Sequence, residues 1–130
     1  MYEIVVAVDT DEDRAIAQAE TIVDLPGEGE EVHATILHDF TDNPEGGSVS
    51  QVAAVRRARE IFEEAGIGVT LEESSGDPGR AIIELAEEID ADLICLAGRK
   101  RTPAGKALFG SVTQDVFLGT DRPVLLVSAE

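Results

Sequence analysis

Tryptophan is absent from this chain, and cysteine, methionine and tyrosine occur once each. A single thiol, Cys95, excludes a disulfide within the chain and a cysteine-based metal cluster. Its neighbours Leu93, Ile94 and Leu96 mark it as a small buried hydrophobe. Lysine is nearly missing too, with only Lys100 and Lys106. No apolar run approaches the ~18 residues that a membrane helix needs. The opening stretch, MYEIVVAVD, has neither the basic head nor the long apolar core of a signal peptide. The expectation is a soluble, cytoplasmic protein.

Present instead is an excess of acid. Asp and Glu number 27 against 10 Lys and Arg, for a net charge of −17 over 130 residues. Hydrophobic residues make up 43%, so the chain is no disordered polyanion and can bury the core of a single domain over 1–130. The acids run along the whole sequence rather than gathering in a tail. A uniformly acidic surface repels itself unless salt screens it, which predicts a halophilic protein. The same charge excludes general nucleic-acid binding.

Apolar and polar residues alternate between strand and helix patterns. Residues 3–8 (Glu-Ile-Val-Val-Ala-Val) read as a strand buried on both faces. Asp9 follows, with Thr10 as a cap for a helix over 11–24 that turns Ala15, Ala19, Ile22 and Val23 to one side. After a Pro-Gly turn at 26–29, residues 31–38 form a second strand. A loop rich in Asp, Asn, Pro and Gly (39–47) leads to a helix from Ser48 or Ser50 to Ala65, closed by Gly66. Residues 69–73 read as a third, more exposed strand. Asp77-Pro78 places an acidic cap before a first-turn proline and starts the third helix. Residues 92–96 are the fourth strand. Ser111 can cap a short helix to Leu118, and Val124–Val127 is the fifth strand.

Strands alternating with helices imply an α/β fold with a parallel sheet covered on both faces. Right-handed crossovers leave two common orders, 3-2-1-4-5 and 2-1-3-4-5. Ligands in such sheets bind beyond the carboxyl ends of the strands, where the winding reverses. In the first order, Asp9 after strand 1 would face the stretch 97–113 after strand 4. That stretch holds Gly98, Gly105 and Gly110, and Arg99, Lys100, Arg101 and Lys106, four of the ten basic residues. A basic, glycine-containing loop before a helix start is suited to phosphate.

Three phosphate patterns fail. A Walker A loop would need a hydroxyl after Lys106, where Ala107 stands. The dinucleotide glycines after strand 1 are replaced by Asp9-Thr10-Asp11. A phospho-receiver domain would end strand 3 on an aspartate, and here it runs into Ser74-Ser75-Gly76.

A fourth pattern fits. Gly110-Ser111, the continuation Val112-Thr113, Asp9 after strand 1 and the ending Asp-Arg-Pro-Val-Leu-Leu-Val at 121–127 resemble the universal stress protein family over nearly the whole chain. In that family the loop reads Gly-x-x-Gly, nine residues, then Gly-Ser or Gly-Thr, and it carries ATP in the members that bind it. Counting back from Gly110 places Ala97 and Lys100 at the two earlier glycines, with Gly98 one residue out of register. Asp39 falls where the family often has an apolar residue beside adenine.

The resemblance implies a Rossmann-like fold related to the adenine nucleotide alpha hydrolases, with strand order 3-2-1-4-5. It implies a site for ATP (or AMP or ADP), with or without magnesium, at Val8, Asp9, Asp39, Ala97, Gly98, Arg99, Lys100, Gly110, Ser111, Val112 and Thr113. It also implies homodimers through strand 5, about Val124–Val127. That strand is apolar and lies at a sheet edge in this order, and an exposed apolar edge invites pairing. The alternative is a dimeric interaction module of the same fold that binds no nucleotide, favoured by Ala97, Lys100 and Asp39. No nucleophile stands beside a base, so no catalytic residue is expected, and at most slow ATP hydrolysis. His33 and His38, five apart on one strand, point to opposite faces and cannot share a metal.

Overall fold

The computed structural model describes residues 1–25, 31–40, 48–99 and 110–129. Among these residues, five strands and four α-helices follow in the order β1 (Tyr2–Ala7), α1 (Glu12–Val23), β2 (Val32–Asp39), α2 (Ala53–Glu64), β3 (Gly68–Ser74), α3 (Pro78–Glu88), β4 (Leu93–Arg99), α4 (Ser111–Gly119), β5 (Val124–Ala129). The strands form one parallel sheet in the order β3-β2-β1-β4-β5. This is the first of the two expected orders, and it places β1 beside β4.

The strand period of two divides the core. Ile4, Val6, Ala34, Ile36 and Cys95 point to the face covered by α1 and α2, where Ala15, Ala19, Ala58 and Phe62 meet them. Val5, Leu37, Ile94 and Leu96 point the other way, onto Ile82, Leu85 and Ala86 of α3 and Val116 of α4. Ile4, Val5 and Val6 are fully buried in succession, as a central parallel strand requires. β3, at an edge, alternates between exposed and half-buried positions.

Four local expectations are corrected. Asp11, not Thr10, caps α1. The Asp9 carboxylate accepts the Asp11 N–H at 2.8 Å, and Asp11 then accepts the Arg14 N–H at 3.0 Å. The helix expected from Ser48 or Ser50 begins instead with a 3-10 turn, Val49–Gln51, and α2 starts at Ala53. Gly110, not Ser111, is the α4 N-cap. β4 continues to Arg99, because Ala97, Gly98 and Arg99 pair with Val127, Ser128 and Ala129 of β5. The turn at 26–29 and most of the 39–47 loop lie outside the described residues.

Cys95 is buried as expected, under Gln18 of α1. The Gln18 amide donates to the Ala7 carbonyl at 2.9 Å and tethers α1 to β1. Burial pushes the Cys95 thiol up from its ordinary 9.0 to about 12. The folded state therefore holds this proton more tightly than the unfolded chain. Its contribution to stability is complete below pH about 9 and falls as pH rises towards about 12. Urea melts across that window should show Cys95→Ala losing less stability than the parent chain. Parallel loss in both would remove Cys95 from the account.

Candidate functional site

Where β1, β2 and β4 end at their carboxyl side, the chain leaves a cleft of about 590 Å³. It sits at the reversal of winding between β1 and β4, the place such sheets keep for ligands. Val8 and Asp9 line it from the chain just after β1, Asp39 from β2, Ala97 from β4, and Val112 and Thr113 from α4. Six of the expected site residues thus converge on one cavity.

The others are placed differently. Gly98 is buried in β4, and a Cβ there would come within 3.1 Å of the Leu126 side chain, so its lack of a side chain serves strand packing. Arg99 ends β4. Gly110 and Ser111 are exposed at the mouth of α4, outside the cleft lining. Lys100 lies outside the described residues.

The helix N-termini around the cleft differ in charge. α1 is closed by Asp11 and carries Glu12 and Asp13 in its first turn. α3 is closed by Asp77, which accepts the Arg80 N–H at 3.2 Å. α2 has no side-chain cap, but Ala53, Ala54 and Val55 offer no polar side chain. α4 opens at Gly110 with no side-chain cap and no acid in its first turn, while Ser111 and Thr113 bring hydroxyls. The Gln114 N–H is the first to reach back into the helix, to the Gly110 carbonyl at 3.1 Å. The N–H groups of the first turn are thus oriented outwards at the positive end of a helix, a setting that favours an anion.

Across the cleft stands Asp9. Its second carboxylate oxygen pairs with Arg14 Nη1 at 3.0 Å, while the first holds the Asp11 N–H. Both oxygens are therefore fixed in direction, and each keeps acceptor capacity for a ligand hydroxyl. Arg14 was missed in the sequence. The signal was its position in the first turn of α1, where it reaches Asp9 and Asp11 together.

The far wall is built from the end of β2. His38 is buried, and its Nδ1–H donates to the Val8 carbonyl at 2.7 Å. Its ring packs edge-on against Phe40, with centroids 4.7 Å apart. Phe40, Val52, Pro78 and Ile82 complete the apolar lining, and none was expected there. His33 faces away, between Glu3 at 3.0 Å and Thr70 at 2.8 Å, so the two histidines do point to opposite faces. Among the described residues no three His, Cys, Asp or Glu side chains gather as a metal site.

The model of the universal stress protein family matches residues 1–128. The chain belongs to this family. The stress response protein NhaX of Bacillus subtilis (strain 168) is 34% identical over 73 residues, which cover 56% of this chain and 44% of that protein. The match thus spans less than half the length of that relative. A universal stress protein structure from Archaeoglobus fulgidus aligns at TM-score 0.75 with 30% identity, covering 98% of both chains. The universal stress protein from the same organism in complex with dAMP aligns at TM-score 0.69 with 25% identity, again over 98% of both.

Proposed function

We propose that this universal stress protein binds an adenine nucleotide, ATP or the shorter ADP or AMP, in the cleft between β1 and β4. The observation that carries the reading is the open N-terminus of α4 facing Asp9 across a cavity of about 590 Å³. Phosphate oxygens accept from the first-turn N–H groups and the hydroxyls of Ser111 and Thr113. Asp9 accepts from ribose hydroxyls, and the base lies against the apolar wall. The dAMP complex of the A. fulgidus relative supports the same ligand class. The nucleotide-bound form acts in the cytoplasm as part of a stress response. Among the described residues no helix is long and apolar enough to cross a membrane.

A thermal-shift series with ATP, AMP and a pyrimidine nucleotide in molar KCl, with and without magnesium, tests this. A ligand that binds only the folded state at a hundred times its Kd adds about 2.7 kcal/mol. The adenine nucleotides should raise the melting temperature and the pyrimidine should not. No shift at millimolar ATP would leave the second reading, a binding module without nucleotide, which Ala97 and Asp39 in the cleft wall favour.

Arg14→Ala should weaken ATP binding about tenfold, by releasing one oxygen of Asp9 from its fixed direction. Because the pair is part-exposed, its loss should change folding stability by less than ~1 kcal/mol. Calorimetric titration against the parent chain reads the first effect, and urea melts read the second. Unchanged affinity would mean that Asp9 needs no such support.

The partner is a second copy of this chain, joined through β5. That strand is a sheet edge with Val124, Leu125 and Leu126 half-buried, and Phe117 and Leu118 stand 68% and 82% exposed just before it. Two-fold pairing of β5 would bury these apolar groups together. A monomer at micromolar concentration in sedimentation would refute it.

A further inference from the structure

No spacing along the chain sets a hydroxyl beside a base, but the sheet does so across three strands. Near the amino ends of β1 and β2, at the opposite end of the sheet from the cleft, Glu3 and His33 stand in register. His33 Nδ1 lies 3.0 Å from the Glu3 carboxylate, and Nε2 lies 2.8 Å from the Thr70 hydroxyl of β3. An ionised carboxylate only accepts, so Nδ1 carries a proton, and in the neutral ring Nε2 is the acceptor. The Thr70 hydroxyl therefore donates to His33. Carboxylate, imidazole and hydroxyl stand in the order by which hydrolytic triads activate an oxygen nucleophile. Thr70 is exposed, and the Glu3 and His33 side chains keep 23% and 24% of their surface open, so a substrate can reach both hydroxyl and base.

The same edge supplies a donor for a substrate carbonyl. Among the described residues β3 is the last strand on its side of the sheet. The Phe40 N–H reaches the Ser74 carbonyl at 2.7 Å, so Ser74 turns its backbone groups towards β2. By the two-residue period of a strand Thr70 does likewise, and the N–H groups of Val69 and Leu71 point out from the edge. We propose that Glu3, His33 and Thr70 form a second site, which hydrolyses small uncharged carboxylic esters. Thr70 Oγ attacks the ester carbonyl carbon while its proton passes to His33 Nε2. The outward Leu71 N–H, next in the chain, can donate to the oxygen that gains charge. The bond to the alcohol oxygen breaks, and the alcohol leaves with the proton from His33. Water then attacks acyl-Thr70 with His33 again as base, which releases the carboxylic acid and restores the hydroxyl. Thr70 and His33 are the catalytic residues, and Glu3 positions the ring. A net charge of −17, with Glu72 and Glu73 following on β3, disfavours anionic substrates.

Hydrolysis of 4-nitrophenyl acetate by the full chain in molar KCl tests it, with acid-quenched protein digested and mapped by mass spectrometry. The parent chain should release nitrophenolate faster than buffer, and the quenched protein should carry acetyl on Thr70. Thr70→Val keeps the shape of an exposed strand residue and removes the hydroxyl, so the rate should fall about a hundredfold. Thr70→Ser restores a hydroxyl at the same place and should recover the rate. Glu3→Gln brings an amide that can donate to Nδ1 and so move the ring proton onto Nε2, the wrong tautomer for a base. It should lower kcat with KM unchanged, a split that a merely structural role would not give. No hydrolysis above buffer, acetyl on another side chain in place of Thr70, or a Thr70→Val rate equal to the parent's would each overturn the proposal. The nucleotide reading stands or falls separately, because the two sites lie at opposite ends of the sheet.

Discussion

Gly110→Val should abolish nucleotide binding and leave the fold almost unchanged. Gly110 has φ −67° and ψ 166°, a backbone conformation open to any residue. Among the described residues, a Cβ added there meets no heavy atom within 4 Å. Folding therefore places little demand on glycine here, and loss of a tolerated cap should cost less than about 1 kcal/mol. A ligand would place a strong demand. Phosphate oxygens can reach the outward N–H groups of Ser111, Val112 and Thr113 only if the preceding residue leaves room, and a branched side chain stands in that path. Two or three charge-assisted hydrogen bonds at about 1.5 kcal/mol or more each correspond to at least a hundredfold in Kd. Adding Ser111→Ala removes a hydroxyl from the same anchor and should complete the loss. Calorimetric titration with ATP, beside a melt of the unliganded variant, separates the two effects. If the double variant melts normally and still binds ATP, the phosphates lie elsewhere.

The central elements of the fold were legible because local pattern and tertiary role agree in them. The run at 3–8 is apolar almost throughout and without alternation, and most of it lies in the central strand, with Ile4, Val5 and Val6 fully buried. Asp77-Pro78 is a cap and first-turn proline in the structure as in the sequence. Misplaced boundaries arose where a distant residue decides. β4 reaches Arg99 because β5 extends beside it, and Leu126 fills the space over Gly98. No window around Gly98 contains that information, so the glycine reads locally as part of a phosphate loop. Asp11 displaces Thr10 as the cap because the Asp9 carboxylate has already folded back on the Asp11 N–H.

The site was legible in the same uneven way. Asp9, Val112 and Thr113 follow from the resemblance and from what strand ends and helix starts offer. The wall of His38 and Phe40, and Arg14 behind Asp9, depend on side chains meeting across strands and helix turns, which spacing alone does not reveal.

Phe62→Ala should remove about 3–5 kcal/mol of stability, and how the chain tolerates that loss should depend on salt. Phe62 is fully buried in α2, within the cluster formed by Ile4, Ile36, Ala19 and Val55. Parallel sheet, helix and turn surround it, so little can collapse into the void. Phe117 provides the contrast: it is 68% exposed in the single chain, and Phe117→Ser should stay within ~0.5 kcal/mol of the parent when both are melted as monomers. Domains of this kind hold only about 5–15 kcal/mol in total. This one folds against a net charge of −17. At ~0.01 M salt that charge acts over about 30 Å, and at ~1 M over about 3 Å. Repulsion between acids on opposite sides of the molecule is therefore felt in the first condition and screened in the second. The parent chain should be more stable in molar KCl. Phe62→Ala should fold there and lose its helical circular dichroism at low salt. A Phe62 variant as stable as Phe117→Ser would mean that Phe62 does not hold α2 to the sheet. Helical signal lost on adding salt would mean that the excess of acidic residues is no adaptation to it. The two results are independent, because burial of Phe62 adds to stability at any ionic strength, whereas the charge term subtracts from it only where the screening length approaches the size of the molecule.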